Sequence, residues 1–102
     1  MQFTETFEKQ ANEKIPKGID FPAGRVPVGA TVQSVAVSAS IYPDGTDAAA
    51  TVLEGIATVT TTRVVQMLKG GVNGKDYRIT YLTTLTDGTQ LEDDLLMQVR
   101  DV

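Results

Sequence analysis

Period-two alternation across residues 77–99 constrains this chain more than any other feature. Tyr77, Ile79, Tyr81, Thr83 and Leu85 share one face of a first strand, and Leu91, Asp93, Leu95, Met97 and Val99 share one face of a second. Thr86-Asp87-Gly88 lies between them and supplies turn chemistry. Loop length then decides the register. A two-residue Asp87-Gly88 loop opposes Tyr77 to Gln98 and Ile79 to Leu96, crossing the apolar face with the polar one. A three-residue Thr86-Asp87-Gly88 loop opposes Ile79 to Leu95 and Tyr77 to Met97. It also puts Gly88 where a type I turn plus bulge requires a left-handed residue. The pattern predicts the three-residue loop, because a one-residue slip would turn the whole apolar face outward.

The rest of the chain keeps the rhythm of short strands, rich in Thr, Val, Ile and Tyr and punctuated by Gly, Pro and Asp. Residues 1–12 read as irregular or briefly helical. Glu13 to Phe21 places Ile15, Ile19 and Phe21 on one parity, and Pro16 bars it from a central position, which predicts an edge strand. Phe21-Pro22-Ala23-Gly24, Pro27-Val28-Gly29 and Tyr42-Pro43-Asp44-Gly45 read as turns. In Ala30 to Ser40, Val32 opposes Val35 and Val37 in parity, and a bulge near Gln33-Ser34 would bring all three onto one face. Ala48 to Leu53 reads as a short strand, and Ala57 to Met67 as another, bent near Thr62-Arg63. These elements predict an all-β, immunoglobulin-like antiparallel β-sandwich of about six or seven strands with an extended N-terminal segment. Residues 1–24 form the arm or edge strand and residues 25–102 the sandwich, within a single domain. Such an arm docks on a neighbour or ends as an ordinary edge strand with a frayed tail. Tyr77 follows a Gly-rich loop, so it fits either a corner tyrosine bonded to upstream backbone or an ordinary core tyrosine.

Composition excludes most chemistry. The 102 residues suffice for one core. No cysteine supports a disulfide or a thiolate, which fits assembly in a reducing cytoplasm, and no histidine is present. Met1 to Gln10 is polar without the apolar stretch of a signal peptide, and no apolar run approaches membrane-helix length. Nine basic residues against thirteen acidic ones give net −4, and Lys9, Lys14, Lys17 and Arg25 are interleaved with Glu5, Glu8, Glu13 and Asp20. A surface of that kind attracts neither nucleic acid nor a membrane.

Ser34, Ser38 and Ser40 lie in a strand-like stretch without a nucleophile-elbow pattern. Gly70-Gly71-Val72-Asn73-Gly74 lacks the Gly-Lys-Ser/Thr ending of a phosphate loop and leads into a strand. Glu92-Asp93-Asp94 cannot converge, because adjacent strand residues face opposite ways. Glu92 and Asp94 are expected on a solvated face and Asp93 near the exposed end of its strand. Asp44-Gly45-Thr46-Asp47 is too poor in oxygen ligands for calcium. No enzyme, cofactor or metal site is expected.

With those features in hand, the chain resembles the fibre–tail adaptors of small tailed bacteriophages. Phe7-Glu8-Lys9 with Ile19-Asp20-Phe21 is similar to a front motif of that family. Gly70-Gly71-Val72-Asn73-Gly74-Lys75-Asp76-Tyr77-Arg78-Ile79, Thr86-Asp87-Gly88 with Glu92, and Met97-Gln98-Val99 resemble its rear. The resemblance implies a non-enzymatic virion protein, assembled in the bacterial host cytoplasm and present in several copies in a symmetric assembly. It would bridge tail and fibre components. Phe7, Lys9, Asp20 and Phe21 are then the candidate contacts with adjacent subunits, and Tyr77 and Gly88 fold-forming. A capsid decoration protein is the nearest alternative, and a carbohydrate- or calcium-binding β-module a further one.

Overall fold

The computed structural model describes residues 3–22 and 24–101; Met1, Gln2 and Val102 of the expected segments, and Ala23 of the expected turn, lie outside the described residues. The described elements follow in the order β1 (Glu5–Lys9), β2 (Ile15–Asp20), β3 (Val32–Tyr42), α1 (Ala49–Val52), β4 (Leu53–Val59), β5 (Arg63–Leu68), β6 (Asp76–Leu85) and β7 (Gln90–Val99). They form one sheet in the order β1-β7-β6-β3 and another in the order β2-β5-β4. Buried side chains from both sheets, among them Ile19, Phe21, Val64, Leu68, Ile79, Leu95 and Met97, make one core cluster. Each fully buried aliphatic or Met side chain in it contributes about 1.5–3 kcal/mol.

The terminal hairpin has the register that parity predicts. Tyr77 pairs with Met97 and Ile79 with Leu95. Leu85 N–H donates to Thr89 C=O at 2.8 Å and Gly88 N–H to Leu85 C=O at 3.0 Å, which closes the loop over Thr86-Asp87-Gly88. Gly88 takes φ +90°, a conformation open to glycine at little cost. The β3 bulge also falls as expected, with the register shifting between Val32 and Ser34. β2 lies at a sheet edge, where Pro16 breaks no central ladder.

Four expectations are corrected. Residues 5–9 are neither irregular nor helical but form β1, and β1 runs parallel to β7, so the four-stranded sheet is not wholly antiparallel. Lys9 had hidden this strand: it occupies an inward position, yet reads as polar. Residues 49–52 make a helical turn where a strand was expected, because Asp47 Oδ1 accepts the Ala49 N–H and Ala49-Ala50 resists helix formation least. Ala57 to Met67 is not one bent strand. Thr60 N–H bonds Arg63 C=O at 2.8 Å, and the chain reverses into two paired strands.

Tyr77 is buried, and its hydroxyl oxygen accepts the Val72 N–H at 2.9 Å. Tyr77→Phe keeps the ring and removes only this acceptor. It is expected to lower stability by about 1 kcal/mol, the usual net worth of one hydrogen bond. An unchanged urea midpoint would show that the hydroxyl contributes nothing.

Candidate partner-binding surface

Three connections meet at one end of the molecule: residues 22–31 between β2 and β3, the turn 60–62, and the turn 86–88. Backbone bonds lace them together. Phe21 N–H donates to Thr62 C=O at 2.8 Å, Val32 N–H to Thr61 C=O at 3.0 Å, and Thr86 N–H to Thr31 C=O at 2.8 Å. Within the longest connection, Arg25 N–H bonds Pro22 C=O and Ala30 N–H bonds Pro27 C=O, so two turns fold it into a compact tip. Gly29 takes φ +85°, which lets the tip reverse. An open groove of about 380 Å³ runs along it, lined by Phe21, Val26, Pro27, Val28, Ala30 and Thr62. Val28 stands fully exposed at its rim.

An ion pair braces this tip. Arg25 Nη2 lies 2.8 Å from Asp93 Oδ2, and Thr4 Oγ1 donates to Asp93 Oδ1 at 3.0 Å. The Arg25 guanidinium also sits 5.1 Å from the Phe21 ring centroid, within cation–π range. Asp93 is therefore not near an exposed strand end as expected: it is 2% exposed, and its charge is tolerated inside because both oxygens are engaged. Asp94 departs from its solvated expectation as well. It is buried, and accepts from Arg78 Nη2 at 2.8 Å and Thr80 Oγ1 at 2.7 Å. In the 86–88 turn at the same end, the Thr89 N–H bond holds the Asp87 carboxyl below its usual range.

The four expected contact residues separate into two pairs. Phe7 is half-buried with the Lys17 ammonium 4.6 Å from its ring centroid, and Lys17 pairs with Glu5. Asp20 is exposed and pairs with Arg63. Lys9 and Phe21, at 1% and 2% exposure, are committed to internal contacts. The Lys9 ammonium donates to Gln10 C=O at 2.8 Å and to Gly70 C=O at 2.7 Å, tying the β1–β2 connection to the Gly-rich loop. Burial pulls its pKa below that of an ordinary lysine, against the raising influence of Glu13 and Asp101. Phe21 reaches the surface only as the floor of the groove. Neither side chain is free to meet a neighbour directly.

Sequence reasoning missed Arg25, Asp93 and Val28 as parts of one surface. Arg25 and Val28 share the β2–β3 connection while Asp93 lies far along the chain on β7, and only Val28, an apolar residue inside a Pro-Val-Gly turn, carried a local signal. Among the described residues no cluster of acidic side chains is placed to hold a metal ion, and no helix is long and apolar enough to cross a membrane.

The family model described as "Podophage GP4 fiber-tail adaptor protein gp77" matches residues 9–98. No curated protein matches the chain. The family match spans nearly the whole of it, and the chain belongs to this family of podophage fibre–tail adaptors.

Proposed function

We propose that, as a member of that family, this chain is a non-enzymatic virion component that bridges tail and fibre proteins, using the tip at residues 26–30 as a contact surface. The observation that carries this reading is the exposed apolar tip, braced from behind by Arg25 and Asp93. Contiguous apolar surface of this kind is what protein contacts use, and a braced loop loses little entropy when it docks. Phe7 and Asp20 extend the contact along the β1 and β2 edges, while Lys9 and Phe21 act by holding the surface in shape.

The same reading takes the two sheets as an immunoglobulin-like sandwich. Its support is the strand order, β1-β7-β6-β3 against β2-β5-β4, with the Tyr77 hydroxyl bonded to backbone five residues upstream. Tyr81 adds a link between the sheets, donating to Lys17 C=O at 2.8 Å, and burial raises its pKa. In this frame Tyr77 and Gly88 are fold-forming, and the partner chemistry lies in the loops.

Val28→Asp tests the contact. The side chain is fully exposed, so the melting temperature is expected to stay within about 2–4 °C, as for other surface changes of about 0.5 kcal/mol or less. Particles assembled with the variant are expected to lose most of their fibres, measured as fibre protein per particle. Fully fibred particles would remove the tip from the contact. Electron microscopy of the particle supplies a separate check: an adaptor occupies the tail in about a dozen copies, whereas a decoration protein would cover the capsid in hundreds.

A further inference from the structure

β3 differs from the other edge strands. β1 is short and carries Glu5, Glu8 and Lys9; β2 carries Pro16, Lys17 and Asp20. β4 is broken by a register shift between Glu54 and Thr58, with Gln66 Nε2 bonding the Glu54 and Gly55 carbonyls in the gap. Short length, charge, proline and bulges are the means by which sheet edges avoid pairing with another chain. β3 has eleven residues with no charge and no proline.

Part of its outer edge is covered by the chain itself. Ala48 N–H donates to Ala39 C=O, Ile41 N–H to Thr46 C=O, and Gly45 N–H to Ile41 C=O. These bonds show that odd-numbered residues of β3 turn their backbone groups away from β6. By the two-residue repeat, Val35 and Val37 present N–H and C=O groups outward as well. Among the described residues no backbone bond outside the ladders reaches either of them. Their inward side chains are only half buried at the seam beside β4. The open stretch lies between the bulge at Gln33 and the Thr46–Ala48 segment. It reads Ser34-Val35-Ala36-Val37-Ser38, the same sequence in both directions.

We propose that two copies of this chain pair antiparallel through Ser34–Ser38, about a two-fold axis at Ala36. An isologous contact needs a patch complementary to itself, and a palindromic strand without charge is one. Val35 of each copy then faces Val37 of the other and exchanges both backbone bonds with it. Ala36 faces its own counterpart in a non-hydrogen-bonded pair, where Cα atoms approach to about 4.5 Å and a small side chain fits best. The proposal does not depend on the tip or on the adaptor reading.

The purified chain at about 100 µM, the range in which modest self-association appears, is expected to sediment at twice the monomer mass. Val37→Pro removes an outward N–H while leaving the ladder to β6 intact, and is expected to give a folded monomer. Ala36→Glu sets like charges face to face and is expected to dissociate the pair even if the proline variant does not fold. The chain has no cysteine, so Ala36→Cys reports directly: the expected spacing suits a disulfide, and most of the chain should cross-link on oxidation while Thr6→Cys does not. Monomer mass for the unaltered chain would overturn the proposal. So would a dimer that survives Ala36→Glu, or Ala36→Cys cross-linking no faster than Thr6→Cys.

Discussion

Asp93→Ala is expected to cost about 2–4 kcal/mol, read from urea unfolding at neutral pH. Removing one partner of a buried pair typically costs about 3–5 kcal/mol. The lower range reflects the Arg25 side chain, which is 33% exposed and can recover water once its carboxylate is gone. The loss has a specific anatomy. Arg25 would no longer brace the connection between β2 and β3, and Thr4 would lose its side-chain acceptor, keeping only its N–H bond to Asp94 C=O on β7. A double variant separates charge from packing. Arg25→Met with Asp93→Leu is expected to be less destabilising than Asp93→Ala alone, because no orphaned charge is left behind. A double variant as unstable as the sum of its parts would mean that the two side chains act independently.

The second large effect is expected at Gly71, with Gly88 as its control. Both take a positive φ, at +97° and +90°, so any side chain pays a conformational cost of about 1–2 kcal/mol at either position. They differ in what surrounds them. A Cβ on Gly71 would lie 2.7 Å from Val99 Cγ2 and 3.3 Å from Tyr77 Cε2, both buried, whereas a Cβ on Gly88 meets nothing within 4 Å. Crowding a packed core adds about 1–3 kcal/mol. Gly71→Ala is therefore expected to lose about 2–5 kcal/mol and Gly88→Ala only the conformational part. Equal losses from thermal melts of the two variants would show that Val99 and Tyr77 yield freely. The comparison also explains the Gly-rich loop: its second glycine is there because the loop passes directly over the core.

What could be read from the chain in advance followed the reach of local patterns. The β6–β7 register was legible because two alternating runs and one turn lie within a short span. The β3 bulge was legible because the parity of Val32 disagrees with that of Val35 and Val37. β1 was not, since its inward Lys9 reads as polar, and the carbonyl that ties it into the fold, that of Gly70, is remote in sequence. The reversal between β4 and β5 was hidden by a Thr-Thr turn without Gly, Pro, Asn or Asp. The brace behind the tip joins Thr4, Arg25 and Asp93, residues that no spacing rule connects. Of the four residues expected at the contact, Phe21 is next to the groove for a different reason, as its floor.

The parallel pairing of β1 with β7 has a mechanical consequence. Their register runs from Glu5 against Leu95 to Lys9 against Val99. The start of β1 and the finish of β7 therefore lie at opposite ends of the ladder. A pull between Thr4 and Arg100 would slide the strands past each other, loading every rung at once, rather than peeling them apart one by one. Rungs loaded together must break together, and the evenly spaced bonds of a parallel pair share such a load. In this member of a family of podophage fibre–tail adaptors, the orientation resists tugging along the strands far better than an end-on zipper of the same length.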